Sequence, residues 1–323
     1  MANGRVQAYP HSLNVKCNSI NKQVFVYSIY VDSGEAGIIF CACNRGVLDL
    51  IIRLNHGDKE CNMKKRVAVL ALACMVGVAQ AAIKGEEITY KSGETNLKGY
   101  LVYDDSSSKV RPGVLVVHEW WGHNEYTRQR ARMLAELGYV ALAVDMYGDG
   151  KHADHPKDAG AFAGAVRGNM PVAKQRFDAA LALLQKHPLT DKAKIGAVGY
   201  CFGGGIALEM ARTGADLKGV VSFHGSLGTE QPAKKDTVKA RILVLTGEAD
   251  PMVKSEDVEK FKMEMGSAGV KYQVISYPNA KHAFTNPAAT ELGKKFEMPI
   301  AYNEKADKAS WESMQGFLKE VFK

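Results

Sequence analysis

At 323 residues, with 46% hydrophobic and 24% charged side chains, the chain has the composition of an ordinary globular protein with room for one large domain or two small ones. Its formal net charge is +7, but residues 82–323 hold 33 of the 42 basic and 30 of the 35 acidic side chains, an excess of only three. So small an excess argues against nucleic-acid binding driven by bulk charge.

Residues 1–62 carry four of the six cysteines (Cys17, Cys41, Cys43, Cys61), apolar patches such as 24–31, and no sustained period of 3.6 or 2. The paired C-x-x-C spacing of a zinc site is missing, so the segment reads as an extension upstream of the true start, with no fold assigned. A small disulfide or metal module is the alternative. Met63-Lys64-Lys65-Arg66, an apolar run over 67–79, and the small residues Ala79 and Ala81 stand in the order of a secretory signal peptide at 63–81. The run is shorter than the roughly 20 apolar residues that span a bilayer; a buried helix of a domain spanning both sides is the rival reading. Signal removal leaves a mature chain from Ala82 with a single cysteine, Cys201. In a periplasmic or secreted protein that thiol is either buried and inert or present for its reactivity. No stable membrane association is expected after cleavage.

Residues 88–105 read as an opening hairpin turning at Ser92-Gly93-Glu94. Val114 to Val117 are too uniformly apolar for a half-exposed strand and predict one buried on both faces of a mainly parallel sheet. A helical period over 124–137 closes at Gly138. A strand at 140–144 leads into a Gly-rich, charged excursion over 147–169 and a helix over 171–186 with Pro171 in its first turn. Strand 195–198 and helix 203–212 follow, then strands 220–223 and 242–245, helix 255–266, strand 272–276 and a last helix near 305–322. Strands separated by helices predict one doubly wound α/β domain over 82–323, a mostly parallel sheet with helices on both faces.

Gly199-Tyr200-Cys201-Phe202-Gly203-Gly204 falls between a predicted strand and a predicted helix, the context of the nucleophile elbow G-x-S-x-G with Cys replacing Ser. An elbow lifts the nucleophile to the sheet edge beside a helix N-terminus, whose dipole favours thiolate and whose free amides bind an oxyanion. A plain Gly-rich turn around a buried Cys is the bland alternative; a phosphate loop fails because no Lys-Ser/Thr pair follows the glycines. Asp250 follows one predicted strand and His282 the last, so nucleophile, acid and histidine come in the order of α/β-hydrolases, each after a different strand. Glu248 is the alternative acid. His118, His123 and His224 also lie near strand ends and read as structural. Val117-His118-Glu119-Trp120-Trp121-Gly122 occupies the loop that supplies the second oxyanion donor, making the backbone amides of Trp120 and Phe202 the candidate pair. Glu119 falls beside the thiol, where an unpaired carboxylate disfavours thiolate.

With this elbow, the Glu119 loop, Asp250-Pro251 and His282-Ala283-Phe284, the chain resembles the dienelactone hydrolase (carboxymethylenebutenolidase) family of the α/β-hydrolase superfamily over roughly residues 87–323. The resemblance implies a hydrolase of carboxylic esters or lactones in which the acid at Glu119 contacts the resting thiol and helps switch it to thiolate. It departs at Asn286, where the family's well-studied enzymes carry an arginine that holds a substrate carboxylate. With Trp120 and Trp121 nearby, that departure implies a more apolar or aromatic acyl group. The expected machinery is Cys201, His282 and Asp250 acting through an acyl-enzyme on a small-molecule substrate, in a monomer, with no metal or cofactor. A thiol-dependent acyl or peptide hydrolase on the same fold is an alternative, as is a non-catalytic carrier or redox-active thiol protein.

Overall fold

The computed structural model describes residues 83–323 and, further upstream, the backbone of four short strands. β1 (Ala8–His11) pairs antiparallel with β2 (Val26–Ile29), and β3 (Ile38–Cys41) pairs antiparallel with β4 (Asp49–Ile52). The sequence reading assigns no elements there, because four residues are too few to display a period. The chain divides into a unit of residues 1–78 and a unit of residues 79–323. The signal peptide at 63–81 and Cys17, Cys43 and Cys61 lie outside the described residues.

In the second unit β5 (Ile83–Ser92) and β6 (Thr95–Asp104) form the expected hairpin. Gly93 turns it at φ +57°, a left-handed conformation that glycine adopts without a Cβ clash. β7 (Arg111–Val117), β8 (Val140–Val144), β9 (Thr190–Tyr200), β10 (Gly219–Phe223), β11 (Arg241–Gly247) and β12 (Tyr272–Tyr277) complete an eight-stranded sheet in the order β12-β11-β10-β9-β7-β8-β6-β5. The six strands from β12 to β8 are parallel, and β6 and β5 close one edge antiparallel.

Successive side chains of a strand face opposite ways, and here both faces are covered, so the apolar runs divide by period 2 between two cores. Leu115, Val117, Leu142, Val144 and Ala197 pack under α2 (Pro156–Arg167), α3 (Met170–Lys186), α4 (Phe202–Arg212) and α5 (Ser255–Ser267). Val114, Val116, Ala141, Ala143 and Val198 pack under α1 (Glu125–Glu136) and α7 (Glu304–Val321). Among the described residues no helix is long and apolar enough to cross a membrane.

The excursion at 147–169 is a correction: it contains α2. Pro156 opens that helix, the His155 ring caps the Lys157 N–H at 3.2 Å, and the helix buries only Ala159, Ala163 and Val166. A stripe of small residues interleaved with Gly160 and Gly164 carries little hydrophobic contrast, which hides the period. The short α6 (Ala289–Lys295), after His282, is likewise unanticipated. Both helices border the C-terminal edge of the parallel strands, where open α/β sheets place their sites.

Candidate active site

Cys201 sits between the end of β9 and the start of α4 at φ +52°, ψ −114°, a strained conformation for a non-glycine residue. The flanking glycines make the turn possible by close approach. A Cβ on Gly199 would strike the Gly203 backbone, one on Gly203 would strike the carbonyls of Val117 and His118, and one on Gly204 would lie 2.6 Å from Ser222 Oγ. Helix and strands thus pack backbone to backbone around the sulfur.

The sulfur faces His282, whose Nε2 lies 3.1 Å from Sγ, and the opposite ring nitrogen, Nδ1, lies 2.9 Å from Asp250 Oδ2. Asp250 is itself held, because its Oδ1 accepts the Met252 N–H at 2.8 Å. Asp250 and His282 are buried, whereas Glu248 is exposed and has no bond to the ring. Burial by itself would lower the His282 pKa; charge on the Cys201 sulfur and the hydrogen bond that the ring donates to Asp250 overcome it and raise the imidazole to about 10.

Glu119 is placed beside these groups but not on the thiol. Its Oε2 accepts the Asn286 Nδ2–H at 2.6 Å, while Asn286 Oδ1 accepts the Ala288 N–H at 2.9 Å, which fixes the amide with its donor toward the carboxyl. The contact between Glu119 and the resting thiol implied by the family resemblance is therefore not the arrangement here: the thiol pairs with His282 and the carboxyl with Asn286. Asn286 is the residue that holds the carboxyl, and it stands where the family resemblance implies an arginine.

Burial pushes the Glu119 pKa up to about 7 against the opposing Asn286 bond. A carboxyl with a folded-state pKa above its ordinary 4.5 is at no disadvantage below 4.5; it destabilises the fold increasingly as pH rises from there to about 7, above which the penalty levels off. Glu119→Gln, which keeps an acceptor for Asn286, is accordingly expected to raise the unfolding free energy by about 3 kcal/mol at pH 8 and to leave it nearly unchanged at pH 4. Urea titrations at the two pH values measure it; an equal effect at both would show that the carboxyl titrates normally.

The three remaining histidines near the strand ends, His118, His123 and His224, do not line the cavity that opens over the sulfur. His118 Nδ1–H donates to the Glu119 carbonyl at 2.6 Å and Nε2 accepts the Met146 N–H at 3.2 Å, so burial holds a neutral ring of defined tautomer. The same carbonyl accepts the Gly122 N–H at 3.1 Å, so two donors hold the peptide whose N–H belongs to Trp120. The Phe202 N–H is the first of α4 and has no intrahelical partner by geometry. His224 Nε2 shares a 2.8 Å hydrogen bond with Thr285 Oγ1, which also meets Tyr126 OH at 2.7 Å, and burial keeps this imidazole well below its usual range. His123 is buried and held down to about 4 by burial.

A cavity of about 280 Å³ opens over the sulfur, lined by Glu119, Trp120, Cys201 and His282 and walled by Trp121, Met252, Val253 and Ile300. Arg167, Ser226 and Ala283 complete the lining. Neither Arg167 nor Ser226 is signalled by the sequence: Arg167 lies at the end of the unanticipated α2, and Ser226 follows β10 with no motif around it. A residue-by-residue scan has no signal for either. The arrangement can deprotonate a thiol, accept charge on a carbonyl oxygen and return a proton to a leaving atom.

Residues 97–322 match the model of the dienelactone hydrolase family. A protein of Aquifex aeolicus (strain VF5) named "Putative carboxymethylenebutenolidase" is 26% identical over 244 residues, covering 74% of this chain and all of that one. Among solved structures, the dienelactone hydrolase-like promiscuous phosphotriesterase P91 from metagenomic libraries is 35% identical with a TM-score of 0.71, covering 75% of this chain and 100% of its own. A structure titled m3DLH gives 37% identity and a TM-score of 0.71 over the same shares. The doubly wound fold expected from the sequence is thus the α/β-hydrolase fold.

Proposed function

This chain belongs to the dienelactone hydrolase family, and from that premise we propose that it cleaves a carboxylic ester or lactone with Cys201 as nucleophile, His282 as base and Asp250 as the group that orients the base. The observation that carries this reading is the single imidazole bonded at Nε2 to the Cys201 sulfur and at Nδ1 to the buried Asp250 carboxylate, at the floor of a cavity with apolar walls.

His282 takes the Cys201 proton, and the thiolate forms a bond to the carbonyl carbon as the C=O electron pair moves to oxygen. The Trp120 and Phe202 amides hold that oxyanion; removal of one such donor typically costs about 2.7–4 kcal/mol of transition-state stabilisation. Collapse breaks the bond to the alkoxide, which takes the proton from Nε2 of His282. Water, deprotonated by the same nitrogen, then attacks the thioester, releasing the carboxylic acid and restoring the thiol. Glu119, latched to Asn286, leaves the thiol free to pair with His282, and the Trp120 and Trp121 rings favour apolar substituents on the ester.

A rapid-quench experiment with a p-nitrophenyl ester tests the mechanism. The expected result is a burst of one p-nitrophenolate per chain together with the mass of a thioester on the peptide containing Cys201. Turnover with no burst and no acyl adduct, under conditions where deacylation is slowed, would sink the acyl-enzyme. A redox-active thiol protein would instead cycle Cys201 oxidation with no ester turnover.

We also propose that residues 63–81 are a signal peptide and that the working protein is an exported monomer beginning near Ala82, because a basic start, an apolar middle and an A-x-A end occur there in order. Intact mass and light scattering of the exported protein read the N-terminus and the oligomeric state. A mature N-terminus upstream of Met63 would overturn it.

A further inference from the structure

The cavity over Cys201 shares part of its wall with a second space. Arg167 and Ser226 also line a second and larger space of about 690 Å³, which runs away from the sulfur along α4 past Ile206 and Met210 to Met170 and Pro171 at the start of α3. The reactive cavity alone, at about 280 Å³, is at the bottom of the range of about 300–1,000 Å³ found for small-molecule sites, whereas the two together reach its upper part. Ile206 and Met210 lie beneath the groove and are almost wholly covered, Met170 and Pro171 are its more accessible apolar residues, and polar side chains including Glu230 and Gln231 make its rim. Of its four charged side chains, Lys174 pairs with Asp178 at 2.6 Å and Glu209 with Arg212 at 2.9 Å, which leaves Arg167 and Glu230. Arg167 lies over the Phe202 ring at 5.3 Å.

Which arm of an ester enters the groove follows from the proton that must be delivered. The leaving oxygen has to lie within reach of His282 Nε2, so the alcohol side belongs with His282, Ala283 and Ile300 in the smaller cavity. The groove contains no part of His282 and flanks α4 beyond the sulfur. We propose that this groove is an acyl-chain subsite and that the substrate class is esters of extended, largely aliphatic carboxylic acids, bent past Arg167 and Ser226. The proposal rests on the ester-hydrolase reading for its orientation, while occupancy of the groove is measurable without turnover.

Gly205 provides the test. It lies one turn of α4 beyond Cys201, and a Cβ there meets only Ser226, at 3.4 Å from its carbonyl oxygen and 3.6 Å from its Cβ, which is ordinary contact. Gly205→Leu therefore places its Cβ without a clash, improves the helix propensity and projects a side chain toward Ser226, which lines both spaces. With the wild-type chain, kcat/KM for p-nitrophenyl decanoate relative to p-nitrophenyl acetate gives an acyl-length ratio, and decyl acetate relative to ethyl acetate gives an alcohol-length ratio. Gly205→Leu is expected to lower the acyl-length ratio at least tenfold and to leave the alcohol-length ratio within twofold. An unchanged acyl ratio, or a fall confined to the alcohol series, overturns the proposal.

Binding separates this outcome from failure of the hydrolase reading. Decanoate ester titrated into Cys201→Ala, followed by tryptophan fluorescence, is expected to bind at least tenfold more tightly than into Cys201→Ala/Gly205→Leu. Equal affinity in the two variants overturns the subsite whether or not the wild-type chain turns over any ester. Tighter binding to Cys201→Ala together with no turnover by the wild-type chain leaves the groove standing as a chain-binding site and sinks only the hydrolase.

Discussion

Cys201→Ala is expected to lower kcat/KM for a short p-nitrophenyl ester by about 10⁵- to 10⁶-fold, the scale on which losing a nucleophile that acts as a unit with its base is felt. The residue left over comes from binding and the two oxyanion amides, which the substitution does not touch. The loss should be purely chemical: the Cys201 backbone stays in its strained turn, where alanine is no worse than cysteine, and the thermal midpoint should barely move. A second signature accompanies it. Charge on the sulfur is the largest of the influences that raise the His282 pKa to about 10, so an NMR titration of Cys201→Ala should find that imidazole titrating lower than in the parent. A variant that keeps activity within tenfold would mean the sulfur is not the attacking atom.

Asp250→Asn is expected to reduce kcat by about 10⁴-fold through the tautomer of His282. The geometry makes the direction unambiguous. Oδ1 of Asp250 accepts the Met252 N–H at 2.8 Å, so an asparagine must keep its carbonyl oxygen there and turn its NH₂ toward His282 Nδ1. That ring nitrogen then has to accept, the proton moves to Nε2, and the nitrogen facing the sulfur can no longer take a proton from it. Nitrogen chemical shifts of the ring report the tautomer directly. A drop of less than tenfold, with the tautomer unchanged, would remove Asp250 from the mechanism and reduce its role to packing.

The two buried cores were legible because the strands are uniformly apolar and the helices between them periodic, and both signals act over windows of ten residues or so. The failures have the same origin. α2 covers one side of the site yet buries only Ala159, Ala163 and Val166, too little contrast to register. With it went Arg167, which borders both the reactive cavity and the groove beyond it. Among the acids, spacing left Asp250 and Glu248 both available after β11; the fold buries one against His282 and leaves the other in solvent.

Local chemistry and chain order marked the elbow at Cys201 and the order in which Asp250 and His282 follow it, whereas the close approaches that only glycine permits at Gly199, Gly203 and Gly204 are made by the fold. Tertiary structure alone decided the partner of Glu119. Asn286 is 167 positions away in the chain, and a 2.6 Å hydrogen bond over that separation is a product of sheet order and loop packing that no local pattern encodes. The same holds for the reach of the cavity. Its walls come from β-strand ends and helices distant in sequence, and their spacing is set by how two layers of side chains fill the faces of one sheet.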